Sequence, residues 1–141
     1  MINQPTKVIL HCAATPDEAD HFDIDDIRRW HIARGFSDVG YHAVIKKSGE
    51  VQLGRSEHEV GAHCQGQNEG SLGVCYIGTK RPTAMQLLSI MNLYKSWYSK
   101  YNIGSENWFG HYEFNPGKEC PGFSMEVFRM LLRAQGLEVI I

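Results

Sequence analysis

At 141 residues the chain is long enough for one domain, 1–141, with a substantial core that needs no cross-links. Its 14 basic and 16 acidic residues leave a formal charge of −2, which lacks the electrostatic footprint of a nucleic-acid binder and argues against polyanions as main substrates. No stretch approaches the ~18 consecutive apolar residues of a membrane span, and the N-terminus has no basic region followed by an apolar run, so the expectation is a soluble, monomeric protein made in a cytoplasm. Cysteines at 12, 64, 75 and 120 show no CxxC spacing and are expected to stay thiols in a reducing compartment.

In chain order, Val8 to Leu10 reads as a short buried strand that delivers His11 and Cys12. Alternation sends those two side chains to opposite faces, so only one of them is expected in a given site. Thr15 to Asp20 is a loop, and Asp23 has the chemistry of a helix N-cap. Ile24, Ile27, Trp30 and His31 then fall on one helical face, with Gly35 as the stop. Tyr41 to Lys46 and Glu50 to Leu53 predict a hairpin around Ser48-Gly49. A glycine-rich polar stretch from Gly54 to Gly70, containing His63, leads into Leu72 to Ile77, an apolar run suited to a central strand. Thr83 to Gln86 resembles a capping box, after which Leu87, Ile90, Met91, Tyr94, Trp97, Tyr98 and Tyr101 recur at helical spacing. Ser124 is placed as the cap of a last helix through Arg133 that ends at Gly136. The tail Leu137 to Ile141 is apolar and β-prone, suited either to an edge strand or to a contact surface. The order of elements predicts an α/β fold, a central mixed β-sheet flanked by helices.

The loop from Gly110 to Pro121 places His111, Lys118 and Cys120 between glycines and prolines, where a scaffold can hold reactive groups. Together with His11 at a strand end, His111 and Cys120 form a ligand set suited to one Zn2+ per chain, with a fourth position left for water. Such a metal lowers the pKa of water from 15.7 to about 7, which is the demanding part of amide hydrolysis. Lys118 is placed to meet a polarised carbonyl oxygen, and Tyr41 to hydrogen-bond the reacting centre. The residue types alone suit equally a hydrogen-bonded core histidine at 11 and a buried thiol at 120. His21, His31 and His58 read as surface or packing residues, while His63 sits in a loop that could border a cleft. No Gly-x-Gly-x-x-Gly, Walker or Gly-x-Ser-x-Gly pattern is present.

Several stretches carry a family resemblance: His11-Cys12-Ala13-Ala14-Thr15, Ile27-Arg28-Arg29-Trp30-His31, Asp38-Val39-Gly40-Tyr41-His42, Asn68 to Val74, and the loop His111 to Cys120 with Pro121. In this order, and over nearly the whole chain, they resemble the zinc-dependent N-acetylmuramoyl-L-alanine amidases, which include the amidase lysozymes of short-tailed coliphages and the peptidoglycan recognition proteins. The resemblance implies a zinc cleft on one side of the sheet, with the metal on His11, His111 and Cys120 and supporting roles for Tyr41 and Lys118. It implies cleavage of the amide between the lactyl group of N-acetylmuramic acid and L-alanine of peptidoglycan. Lys118 matches the phage branch, although the loop is one residue longer here, at Gly117. The coliphage relatives also bind and inhibit their phage RNA polymerase. The segment before His11 is shorter here and differs in residues, so that partner is carried over as a question for experiment.

Two other readings compete. A peptidoglycan-binding module without catalysis typically lacks the cysteine ligand, and Cys120 argues against it. A glycosidase needs two carboxylates about 5–10 Å apart, and among Glu57, Glu59, Glu69 and Glu113 no spacing singles out a pair. Without an export signal, an endolysin of this kind is expected to reach the wall only after another protein opens the inner membrane.

Overall fold

The computed structural model describes residues 2–135, and the stop expected at Gly136 and the tail from Leu137 lie outside that range. Five strands form one mixed sheet: β1 (Lys7–Cys12), β2 (Ala43–Ile45), β3 (Val51–Leu53), β4 (Ser71–Tyr76) and β5 (Trp108–Gly110). Their order is β3-β2-β4-β1-β5, with β2, β4, β1 and β5 parallel and β3 antiparallel at one edge. The central strand β4 is buried along its whole length, which explains why its sequence is a continuous run with no alternation. The hairpin strands are shorter than the sequence suggests: Tyr41, His42 and Lys46 lie outside β2 and Glu50 outside β3.

Helix α1 (Ile24–Ala33) begins at Asp23, whose carboxylate accepts from the Asp25 N–H while Asp26 accepts from the Asp23 N–H. Its buried face is Ile24, Ile27 and His31. Trp30, expected on that face, is 41% exposed, because one residue before His31 lies about 100° around the helix. Helix α2 (Ala84–Tyr101) opens on the capping box of Thr83 and Gln86 and buries Ile90, Tyr94 and Trp97. After β5 come a single helical turn, α3 (His111–Phe114), and then α4 (Met125–Arg133), capped by Ser124.

The core divides at the sheet. Val8, Leu10, Cys12, Leu72, Val74 and Tyr76 face α2 and α4, in one cluster with Ile90, Tyr94, Trp97, Phe128 and Leu132. Val44, Cys75 and Ile77 pack with Ile24 and Ile27 of α1 on the other side. Burial of these side chains, each contributing about 1.5–3 kcal/mol, fixes which face of β1 each residue takes.

Asp17 ties the loop after β1 to the one after β4. Its carboxylate accepts from the backbone N–H groups of Thr79 (2.9 Å), Lys80 (3.3 Å) and Arg81 (3.2 Å), with the Lys47 ammonium 3.8 Å away. The Thr79 amide is the largest of the causes that hold its pKa below the usual 3.8. A depressed folded-state pKa contributes stability that is present above the unfolded value and lost as pH falls through the folded one. Asp17→Ala is expected to cost about 2 kcal/mol in urea unfolding at pH 7, and the gap to the parent should narrow below about pH 4.

Candidate active site

His11 is the penultimate residue of β1 and points to the α1 side of the sheet, opposite Leu10 and Cys12. The parallel register pairs Leu10 with Gly110, so the next residue on each chain, His11 and His111, meets its counterpart just where the strands end. Their Nδ1 atoms are 3.1 Å apart and their ring centroids 4.5 Å apart. Two short contacts return the loop to this point. The Tyr112 N–H donates to the Cys120 carbonyl at 2.9 Å, and the Tyr76 hydroxyl donates to the Pro121 carbonyl at 2.6 Å. The α3 turn is itself held by Glu113, which accepts from the Gly110 N–H and pairs with Arg129.

Cys120 is partly exposed in the cleft, and its Sγ lies 3.0 Å from the Cys12 Sγ. The hydrogen bond from the Cys12 thiol, followed by one from His111, holds Cys120 well below the usual thiol range, although burial opposes the shift. The same contact pushes Cys12 upward. Alternation does send His11 and Cys12 to opposite faces, yet both border the cleft, because β1 stops at Cys12 and its thiol reaches around the strand end. The expectation that only one of them enters the site is corrected accordingly.

Two imidazole nitrogens on one tetrahedral ion stand about 3.3 Å apart, given metal–nitrogen distances of about 2.0–2.1 Å. The 3.1 Å between His11 and His111 matches that spacing. Among the described residues no three His, Cys, Asp or Glu side chains are already gathered as a complete metal cage, and the Cys120 thiol is engaged with Cys12 instead. The donor chemistry nonetheless fits a divalent ion such as zinc. His11 is kept neutral, its pKa driven well down first by burial and then by His63 and His111. Cys120 is biased toward thiolate, the form that binds metal.

These groups line a cleft of about 610 Å³, which Tyr41, His31, His63, Asn115 and Lys118 also border. The Tyr41 ring lies 5.1 Å from that of His11, tilted by 54°. Burial of its hydroxyl, and then the neighbouring cysteines, raise its pKa well above 10, so the group remains a proton donor in hydrogen bonds. Its neighbour His42 turns away, with Nδ1 accepting from the Gly73 N–H and Nε2 donating to the Glu59 carbonyl. Lys118 is exposed, and its N–H donates to Asn115 across the turn that contains Gly117.

Two histidines have larger roles than their sequence context suggests. His31 accepts the Gly40 N–H at 2.8 Å through Nδ1 and lines the cleft beside Tyr41. His63 stands behind His11, with Nδ1 2.9 Å from the His11 Nε2. The signal available in the sequence was the glycine on each side of the site, Gly61 and Gly73, whose missing side chains leave room for the ring. No carboxylate side chain lines the cleft among the described residues. Glu57 instead accepts from Trp97, Lys100 and Tyr101, and Glu113 serves Arg129.

Comparison with known proteins gives a consistent picture. Residues 2–123 match the family described as Amidase_2, N-acetylmuramoyl-L-alanine amidase. The endolysin of Escherichia phage T7 is 35% identical over 127 residues, which cover 84% of this chain and 82% of the phage protein. Among solved structures, the N-acetylmuramoyl-L-alanine amidase LysC from Clostridium intestinale superposes with a TM-score of 0.82 at 29% identity, covering 93% of this chain and 87% of LysC. Peptidoglycan recognition protein LE, solved with a monomeric diaminopimelic acid-type peptidoglycan, superposes with a TM-score of 0.74 at 28% identity, covering 86% and 78% of the two chains.

Proposed function

Because the chain belongs to the N-acetylmuramoyl-L-alanine amidase family, we propose that it is a phage-type endolysin that uses one zinc ion, held by His11, His111 and Cys120, to hydrolyse the amide between N-acetylmuramic acid and L-alanine. The observation that carries this reading is the 3.1 Å approach of the two imidazole nitrogens beside the Cys120 thiol, in a cleft that no carboxylate among the described residues lines. Zinc bound there would supply a Lewis acid that polarises a carbonyl and lowers the pKa of water to about 7.

The chain's own groups do the rest. His11 stays uncharged in its buried setting and so presents a lone pair. Water adds to the lactyl carbonyl carbon, the carbonyl oxygen takes up negative charge, and the carbon–nitrogen bond then breaks as a proton reaches the alanine nitrogen. Lys118, an exposed residue that lines the cleft, brings an ammonium toward that oxygen. Tyr41, kept protonated and packed beside His11, donates a hydrogen bond to the same centre. Groups of this kind matter because they stabilise charge that develops in the transition state more than in the substrate.

Peptidoglycan is accordingly the partner, and no helix among the described residues is long and apolar enough to cross a membrane. A muramyl peptide incubated with the protein should yield free N-acetylmuramic acid and a peptide with a new α-amino group on L-alanine, identified by mass spectrometry. New reducing sugar ends from polymeric wall, with the lactyl-alanine bond intact, would show a glycosidase instead.

A further inference from the structure

A chain of hydrogen bonds runs back from the cleft into the protein. The His11 Nε2 is 2.9 Å from the His63 Nδ1, and the His63 Nε2 is 3.0 Å from the Ser71 Oγ. The Ser71 hydroxyl also donates to the Asn68 carbonyl at 3.1 Å. A carbonyl only accepts, so the one hydrogen of the serine is committed to Asn68 and its oxygen must accept from His63. His63 therefore carries its proton on Nε2, and its Nδ1 is an acceptor. The His11 Nε2 must then supply the hydrogen between the two rings, which leaves the His11 Nδ1 as a bare lone pair facing His111.

Resting on the ligand reading above, we propose that His63 and Ser71 are positioning residues that fix His11 in its Nε2–H tautomer and aim its Nδ1 lone pair at the metal. The surroundings are built for this arrangement. His63 is buried, and the Asn68 side chain accepts from the N–H groups of both His63 and Cys64, at 2.8 and 2.9 Å, which fixes the backbone that carries the ring. A Cβ added to Gly73 would stand 2.6 Å from the ring, and one added to Gly61 would stand 2.7 Å from it, so the imidazole occupies a slot that only glycines leave open. Ligating histidines held through their second nitrogen keep both ring orientation and basicity, and loss of such a partner typically costs about 10- to 100-fold in metal affinity.

The test combines a spectroscopic readout with a rescue. In metal-free wild-type protein, nitrogen-15 spectra of the imidazoles should show His11 and His63 both protonated on Nε2. His63→Leu should weaken zinc binding by about 10- to 100-fold in competition with a chromophoric chelator. His63→Asn, whose Oδ1 falls where Nδ1 stood, should recover most of that loss. Should His63→Leu fail to fold by circular dichroism, Ser71→Ala, which removes only the hydroxyl, is read in the same two ways and is expected to let His63 populate both tautomers. A His11 proton on Nδ1 in the wild type overturns the proposal, as does zinc affinity in folded His63→Leu within about twofold of the parent. A wild-type chain that takes up no zinc overturns the ligand reading itself, and the tautomers distinguish the two failures because they are measured without metal.

Discussion

Cys120→Ser is expected to purify as a folded protein that retains little zinc and almost no amidase activity, whereas the parent holds about one zinc per chain. Serine keeps the shape of the side chain but is not deprotonated at neutral pH, so the site loses its thiolate and two imidazoles remain to hold the ion. Removing a partner one shell further out already costs about 10- to 100-fold in affinity, so loss of a direct ligand should exceed about 100-fold. The fold should be little affected. The residue is partly exposed and lies at the rim of the main core cluster, whose fully buried members include Trp108, Tyr76, Tyr94, Leu10 and Leu72. Metal content by mass spectrometry, with circular dichroism as the control, decides the matter. Zinc retained at one per chain with wild-type affinity would remove Cys120 from the ligand set.

The second large effect concerns turnover rather than metal. Lys118→Ala is expected to lower kcat by about 100- to 1,000-fold, the scale on which loss of one donor to a developing oxyanion acts, with zinc content unchanged and KM shifted little. The reason is that the ammonium has more to interact with once the carbonyl oxygen carries negative charge, so its removal is felt in the transition state rather than in substrate binding. Tyr41→Phe removes a single hydroxyl in the same cleft and should reduce kcat in the same sense by a smaller factor. A Lys118→Ala enzyme with unchanged kcat and a raised KM would show that the lysine only binds substrate.

Much of the architecture could be read locally. The caps at Asp23, Thr83 with Gln86, and Ser124 are each a short-range match of side chain to backbone, and all three start helices where their chemistry predicts. The buried runs that became β1 and β4 are likewise legible, because strands covered on both faces need no alternation. What could not be read was the meeting of His11 with His111. It depends on a parallel register with β5, a strand of only three residues, Trp108 to Gly110, too short to show a pattern of its own. Spacing along the chain contains no information about such a register. It came instead from the resemblance of the whole sequence, whose separate stretches fall in family order.

The cleft position expected for His63 is observed, whereas its contact with His11 was hidden for a different reason. Its surroundings in the sequence are glycine, alanine, cysteine and glutamine, which suggest an open loop, whereas Asn68 draws that loop inward and Gly73 on β4 leaves room for the ring. Trp30 follows Ile27 at helical spacing, yet the buried stripe of α1 is narrow and takes only Ile24, Ile27 and His31. A histidine could join that stripe because Gly40 satisfies its Nδ1.

X-ray absorption at the zinc edge of the loaded protein examines the ligand set directly. One sulfur at about 2.3 Å together with two imidazole nitrogens at about 2.0–2.1 Å is the expected inner shell. A shell without sulfur, or one with two sulfurs from Cys12 and Cys120 and a single imidazole, would contradict the assignment of His11, His111 and Cys120.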